Sequence, residues 1–321
     1  MTGLDVDALV GVSADGRGGL LVVGSVVTGS VLGRAVYPAP SPVPEHDVLV
    51  ARFDRSGERL RWVRTFGGRG DQVPVGIAAS RDGAVVIGSS RGDGTGIAAG
   101  AFALGIATSG ERRWTVALGD ADLRAVALDT SGRALVVGLL RNGVADGYLA
   151  SVGLAGLPGP DATGNGAEDG LVVRLGHDGR PDAAGLVGGT AYDEPTDVAW
   201  SHGRVLIVGS TASNDGSFPS DETPGLPGAQ PLPIQPLDAF LVTLDARLRL
   251  TTATFLGGVA GDMASGVAAR GADAIVAGTT RSDRHSFPDG SGGPNLPGLR
   301  HHAPAGPGSS FDAFLVRIEL P

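Results

Sequence analysis

Residues 238–248 read DAFLVTLDARL, and this run of small, β-branched and aromatic residues recurs four times elsewhere in the chain. The other copies are DVLVARFDRSG (47–57), AFALGIATSG (101–110), DGLVVRLGHDG (169–179) and DAFLVRIEL (312–320). A second apolar segment follows four of the copies, as RLRWVRTFGG (59–68), ERRWTVALG (111–119), DAAGLVGG (182–189) and LTTATFLGG (250–258). Short apolar runs bounded by Gly and Asp are typical of β-strands. The sequence therefore predicts a repeated β-strand unit.

A second repeated pattern alternates with the first and indicates a hairpin. Most copies place two short apolar runs around a D-G, S-G or H-G turn, which is the local signature of paired antiparallel strands. The copies are VDALVGVSADGRGGLLVVGS (6–25), VPVGIAASRDGAVVIGSS (73–90), LRAVALDTSGRALVVGLL (123–140), TDVAWSHGRVLIVGST (196–211) and ASGVAARGADAIVAGTT (264–280). Four short strands per unit predict the blades of a β-propeller. A parallel β-helix is the alternative, although its strands do not form antiparallel hairpins.

The expected architecture is an all-β propeller of about five four-stranded blades, the last without its outer strand. The content of 54 Gly and 21 Pro is consistent with frequent turns. We expect one domain over residues 1–321. Its repeat units are approximately 1–66, 67–118, 119–189, 190–258 and 259–321.

Variation in repeat length is confined to one connection, between the second and third strands of each unit. In a four-stranded antiparallel blade, this connection lies on the same face as the connection to the next blade. Binding residues concentrate on loops that a rigid scaffold holds in place. We therefore expect ligands on the face that carries the insertions at 26–46, 91–99, 141–168, 212–237 and 281–311. The segment 155–168 is of low complexity and is expected to be mobile.

Composition excludes several classes of function. The formal net charge is −9, and all 25 basic residues are Arg, so a nucleic-acid partner is not expected. The absence of Cys excludes disulfides, thiolate metal sites and a Cys nucleophile. The N-terminus shows no signal-peptide pattern, and no apolar run is long enough to span a membrane. We expect a monomer.

The repeat resembles a known family. Its elements are GG-x-x-x-D, then GIA or GVA, then V-x-G-S/T, then a loop with S-F-P, then D-A-F-L-V. The match is best at 209–244 and 278–318, whereas copies at 1–46 and 100–140 diverge. This pattern resembles the SBBP repeat, a bacterial β-propeller repeat. The resemblance implies a propeller fold and an exported or surface location in a bacterium, and it implies no particular reaction.

The segments between blades each contain an acidic residue at a similar place, with the second copy displaced by one position. On a closed ring these carboxylates would surround a central channel and could bind a hard cation such as Ca²⁺. Alternatively, each carboxylate accepts hydrogen bonds from the backbone amides of its own turn. The candidate metal ligands are Asp5, Asp71, Asp122, Asp193 and Asp262.

No catalytic constellation stands out. Residues 88–92 read GSSRG and match the G-x-S-x-G nucleophile motif, but they end a repeat strand and not a strand-to-helix turn. Trp62, Trp114 and Trp200 fall on predicted strands, where packing between blades explains them better than a sugar platform does. The sequence favours a non-enzymatic scaffold that binds a protein or carbohydrate through its long loops at a bacterial surface. The alternatives are a propeller enzyme of the hydrolase or lyase type, or a Ca²⁺-binding propeller, using the channel mouth.

Overall fold

A computed structural model describes the chain at residues 6–27, 31–32, 35–36, 45–93, 96–141, 147–164, 166–213, 215–219, 237–271, 273–282, 287 and 311–320. This part of the protein is almost entirely β-structure, with one four-residue helix, α1 (Tyr148–Ser151). Within it, no helix has the length and apolar character needed to cross a membrane.

The strands of the first two blades alternate with short turns, apart from one insertion that holds a small hairpin. They are β1 (Val6–Ala14), β2 (Gly19–Val27), β3 (Val31–Leu32), β4 (Ala35–Val36), β5 (His46–Asp54), β6 (Leu60–Phe66), β7 (Gln72–Ser80), β8 (Gly83–Asp93), β9 (Ala98–Ile106) and β10 (Arg112–Ala117). The remaining strands are β11 (Asp122–Leu128), β12 (Ala134–Leu140), β13 (Asp169–Leu175), β14 (Pro181–Val187), β15 (Asp193–Ser201), β16 (Arg204–Thr211), β17 (Asp238–Asp245), β18 (Leu250–Leu256), β19 (Asp262–Arg270), β20 (Asp273–Thr280) and β21 (Asp312–Glu319).

These strands form five successive sheets, each built from neighbouring segments of the chain. The strand orders are β1-β2-β5-β6, β7-β8-β9-β10, β11-β12-β13-β14, β15-β16-β17-β18 and β19-β20-β21, while β3 and β4 pair separately. Such sheets are the blades of a β-propeller. The predicted propeller fold is confirmed, with five blades, of which the fifth has three strands in the described residues.

The chain divides into two compact units. The first contains residues 1–134 and 175–180, and the second contains residues 135–174 and 181–321. In the first unit, Val23 and Val50 of the first blade share a buried apolar cluster with Phe102 and Leu104 of the second blade. In the second unit, the fourth and fifth blades share an equivalent cluster. Burial between adjacent blades therefore supplies a large part of the apolar core.

Two copies of the DAFLV motif show how neighbouring sheets determine burial. In β17, all of the first seven residues are buried, and Leu241 is 2% exposed. In β21, burial alternates: Phe314 and Val316 pack in the cluster between the fourth and fifth blades, while Leu315 is 56% exposed. The same sequence is therefore enclosed on both faces in the fourth blade and on one face in the fifth.

Candidate functional site

The turn before the fourth blade is built around a buried carboxylate. Asp193 begins β15, and its side chain is inaccessible to solvent. Its Oδ2 atom accepts hydrogen bonds from the backbone N–H of Gly189 at 2.7 Å and from the hydroxyl of Ser213 at 2.8 Å. The N–H of Ser213 donates in turn to Oγ1 of Thr211, the last residue of β16. The carboxylate thus fastens the inter-blade turn to the start of the long connection after β16.

The turn before the fifth blade repeats this network at the same sequence offsets. Oδ2 of Asp262 accepts from the N–H of Gly258 and from the hydroxyl of Ser282, both at 2.8 Å. The N–H of Ser282 donates to Oγ1 of Thr280 at 2.9 Å. The repeated G-G-x-x-x-D and T-x-S strings are therefore the two halves of one hydrogen-bonded joint. The Ser partners are not among the sequence-based predictions, although the T-x-S spacing at 211–213 and 280–282 is a readable signal.

In the second blade, an amide replaces the carboxylate. Gln72 begins β7, and its Oε1 accepts from the N–H of Gly68 at 3.0 Å, four residues earlier, as Asp193 does from Gly189. Asp71 instead accepts from both the backbone N–H and Nδ1 of His46, each at 3.0 Å. Gln72, and not Asp71, is therefore the residue equivalent to Asp193, which corrects the predicted alignment. Its side chain accepts from the glycine N–H of the turn without carrying a charge.

A second row of acidic residues explains the first glycine of each GG pair. Asp169 and Asp238 begin the third strands of their blades and are 1% and 2% exposed. A Cβ atom added to Gly188 or Gly257 would fall inside van der Waals contact of these carboxylates. Asp47 is in the same relation to Gly67. Each of these inter-blade joints therefore brings an acidic side chain from the preceding blade against a glycine that leaves it room.

Burial changes the acidity of these groups. Burial raises the pKa of Asp193 to about 7, against hydrogen bonds from Thr211, Gly189 and Ser213 that lower it, and the nearby charge of Asp169 adds to the rise. Burial likewise raises the pKa of Asp262. The pKa of Asp47 rises to about 6 through burial and the charge of Glu45. Neutral, protonated side chains are thus favoured at these joints relative to free carboxyls.

The predicted calcium ligands have different fates. Asp5 lies outside the described residues, Asp122 begins β11 and is half-buried, and Asp71 pairs with His46. Asp193 and Asp262 each serve their own joint. Across the described ranges, no group of three or more His, Asp or Glu side chains is placed to hold a metal ion. The calcium site stays a prediction.

Calcium is expected to leave thermal unfolding unchanged, because Asp193 and Asp262 already accept bonds from local donors. The measurement compares melting curves in excess Ca²⁺ and in chelator. A cation that binds only the folded state stabilises it by about 2.7 kcal/mol at a hundredfold excess over its dissociation constant. A rise of several degrees that disappears in Asp193→Ala and Asp262→Ala would show that the carboxylates bind the ion.

The long connections begin and end at the inter-blade joints. In the second unit, the N–H of Ala212 donates to the carbonyl of Tyr192, and the N–H of Arg281 donates to that of Gly261. At the returning end, the N–H of Asp262 donates to the carbonyl of Leu237 at 2.8 Å. The connections between second and third strands therefore lie at the same end of their blades as the inter-blade turns.

Two insertions differ from the sequence-based expectation. Much of the 91–99 segment is strand, because β8 continues to Asp93 and β9 begins at Ala98. The segment 155–168, expected to be mobile, is bonded to the outer strand of its own blade: the carbonyls of Pro158 and Asp161 accept from N–H groups of β14. This contact protects an otherwise unpaired sheet edge.

The G-x-S-x-G match at 88–92 has a structural explanation in its last serine. Ser90 is buried, donates its hydroxyl to the carbonyl of Ile97 at 3.1 Å and accepts from the N–H of Gly92 at 2.9 Å. These bonds hold the extended hairpin of β8 and β9. The match to the nucleophile motif therefore lies in a β-hairpin.

No protein-family model matches the sequence, and no curated protein matches it. Among solved structures, the chain is similar to a Bacteroides caccae protein of unknown function, with 11% identity, TM-score 0.39, and coverage of 71% of this chain and 61% of that one. The phage phi92 endosialidase is 11% identical with a TM-score of 0.41, and the alignment covers 75% of this chain and 36% of that one. The parainfluenza virus 5 hemagglutinin-neuraminidase is 7% identical with a TM-score of 0.42, and the alignment covers 89% of this chain and 76% of that one. The chain spans less than two thirds of the first two proteins. Identities this low carry no assignment of activity.

Proposed function

We propose that this β-propeller is a non-enzymatic scaffold that binds a protein or carbohydrate through the long connections between its second and third strands. The observation that carries the proposal is the anchoring of those connections at the inter-blade joints. In the fourth blade, the start of the connection is held by Ser213 and by the N–H of Ala212, and Asp193 supports both the joint and Ser213. Loops of variable sequence on such fixed bases are a common arrangement for recognition.

The buried carboxylates support the same proposal. Asp193 and Asp262 are fully enclosed and bonded to their own joints, so they act on the loop bases and lie away from solvent. Resemblance to the SBBP repeat adds the proposal of a location at a bacterial surface. An enzyme at the channel mouth would need convergent acid, base or metal-ligand groups from several blades.

Removing the loops tests this function. Residues 220–236 and 288–310 are each replaced by Gly-Ser-Gly, and the intact and shortened chains are compared on an array of purified glycans and extracellular proteins. We expect the free energy of unfolding to rise by at most about 2 kcal/mol, since each halving of loop length lowers the closure cost by only about 0.6 kcal/mol. Array binding by the intact chain is expected to disappear in the shortened one. Binding that survives, or hydrolysis of chromogenic glycosides or esters by the intact chain, would contradict the proposal.

A further inference from the structure

A cleft in the first unit lies at the end of the blades opposite the long connections. It has a volume of about 210 Å³ and sits where the tight turns of the first and second blades meet. Its lining includes Asp15, Arg17, Arg52, Trp62, Ser80 and Thr108. Ligand pockets for drug-sized molecules typically measure about 300–1,000 Å³, so this cleft suits a smaller molecule, of about one sugar ring.

The next joint supplies an internal comparison. Trp62 donates its indole N–H to the carbonyl of Thr108 at 3.2 Å, and Trp114 makes the equivalent bond to His177 at 2.8 Å. Both indoles pack against a turn glycine of the following blade. The cavity beside Trp114 nevertheless measures only about 20 Å³. The tryptophan alone therefore does not create the cleft.

The residue opposite each indole differs between the two joints. Trp114 pairs across the strands with Gly105, and a Cβ atom there would overlap the indole, so Trp114 occupies the space of the missing side chain. Trp62 pairs with Arg52, whose side chain also lines the cleft. Both indoles are half-buried, and that of Trp62 lines the cleft. The two joints therefore differ in the residue paired with the indole, which is Arg52 in the first blade and Gly105 in the second.

The polar groups of the cleft are mainly donors. Oδ1 of Asp15 accepts from the N–H groups of Arg17 and Gly19, and its Oδ2 accepts from Nε and Nη2 of Arg52 at 2.7 and 2.6 Å. Asp15 is therefore fully used, and it neutralises and fixes Arg52. The Arg17 side chain is exposed, and the ion pairs among the described residues do not include it; the acidic residue of the cleft, Asp15, pairs with Arg52. The cleft accordingly presents one uncompensated positive charge with neighbouring hydroxyl groups.

We propose that this cleft binds a single sugar ring bearing a carboxylate, of the hexuronic acid class. Trp62 contacts the apolar C–H face of the ring, because its indole offers a flat apolar surface. Arg17 pairs with the carboxylate, for which a guanidinium is well shaped. The hydroxyls of Ser80 and Thr108 bond the sugar hydroxyls. The site lies apart from the long loops and is independent of the function proposed for them.

Calorimetric titration of the intact chain with glucuronate, glucose and acetate tests the site. We expect glucuronate to bind with a dissociation constant of about 1 mM, as a ligand of this size allows. Glucose and acetate are each expected to bind at least about tenfold more weakly, because each lacks half of the recognised groups. Acetate binding as tightly as glucuronate, or no glucuronate binding at about 20-fold that concentration, would overturn the proposal.

Matched variants separate the site from nonspecific association. Arg17→Gln changes an exposed side chain, so it is not expected to affect folding, and it is expected to weaken glucuronate at least about tenfold. Trp62→Ala has the same expected effect, while Trp114→Ala is the control and leaves binding unchanged. The shortened-loop chain is expected to bind glucuronate normally, so failure of the loop proposal and failure of this one are distinguishable. Equal affinities for the intact chain and Arg17→Gln would overturn the assignment.

Discussion

Leu241→Ala is expected to lower the free energy of unfolding by about 2–5 kcal/mol, the range for removing a buried leucine side chain. Leu315→Ala, at the same position of the DAFLV motif, is expected to cost less than about 1 kcal/mol. The reason is burial: Leu241 is 2% exposed and belongs to the apolar cluster between the fourth and fifth blades, whereas Leu315 is 56% exposed. Urea unfolding followed by far-ultraviolet circular dichroism measures both values.

The pair is its own control, because the two substitutions remove the same atoms from the same sequence context. Phe314→Ala adds a third point: this ring lies 4.9 Å from that of Phe287 and is 3% exposed, so it should resemble Leu241→Ala with a loss of about 3–5 kcal/mol. Equal losses for Leu241→Ala and Leu315→Ala would mean that the outer face of the fifth blade is covered in solution.

The protein is expected to be more stable at pH 5.5 than at pH 8. Asp193 has a pKa of about 7 when folded, above the ordinary value of 3.8, so the folded state holds this proton more tightly than the unfolded state. Its favourable contribution to the free energy of unfolding is complete below the pKa of the unfolded state and is lost as the pH rises through about 7. Between pH 5.5 and 8 this group is expected to contribute at most about 2 kcal/mol, since only about 1.5 pKa units of the shift fall within this window. Asp47, with a pKa of about 6, has the same sign.

Carboxyl groups whose pKa is lowered in the folded state do not affect stability between pH 5.5 and 8. The pKa of Asp215 is lowered to about 2 by bonds from Ser217 and Thr190, so its contribution is complete above the unfolded value and is lost only under strong acid. Among the carboxyl groups, therefore, mainly those of the buried joints contribute to the slope between pH 5.5 and 8.

Asp193→Asn isolates the joint. Its amide oxygen can accept from Gly189 and Ser213 as the carboxylate does, and Gln72 already performs this role in the second blade. We expect the variant to retain the fold and to be more stable than the unmodified protein at pH 8. Urea unfolding at pH 5.5 and pH 8 measures the difference in stability between the two conditions, which is expected to be smaller in the variant. A slope identical to that of the unmodified protein would assign the pH dependence to other groups.

Much of the fold could be predicted from sequence because each blade repeats the same strand chemistry. The DAFLV and GIA or GVA strings predict the strands, and their order predicts which connection carries the insertions. The function of the G-G-x-x-x-D string is partly visible, since turn Asp residues commonly accept backbone amides. The displaced copy at Asp71 is misaligned because Gln72 makes the same hydrogen bond with a different side chain.

Other features depend on neighbours that are distant in sequence. Only the strand register shows that Trp62, which lines the cleft, pairs with Arg52, whereas Trp114 faces Gly105. The low-complexity segment at 155–168 gives no strand pattern, yet its carbonyls find donors on β14. The repeat pattern places Asp169 and Asp238 only on strands, since their relation to the glycines of the next turn requires the folded joint.

The joint has a consequence for how such a chain changes in length during evolution. The fourth blade contains residues of two inter-blade joints. At its start, Asp193, Thr211 and Ser213 bond it to the preceding blade. At its end, Asp238, Gly257 and Gly258 form the joint with the fifth blade. A tandem duplication of residues 190–258 would therefore place the glycine pair at the end of one copy directly before the Asp193 of the next copy, so the new joint would form without any new substitution. Copy number can then drift through unequal recombination, and each new copy is free to diverge in its loop while its fastening is already in place.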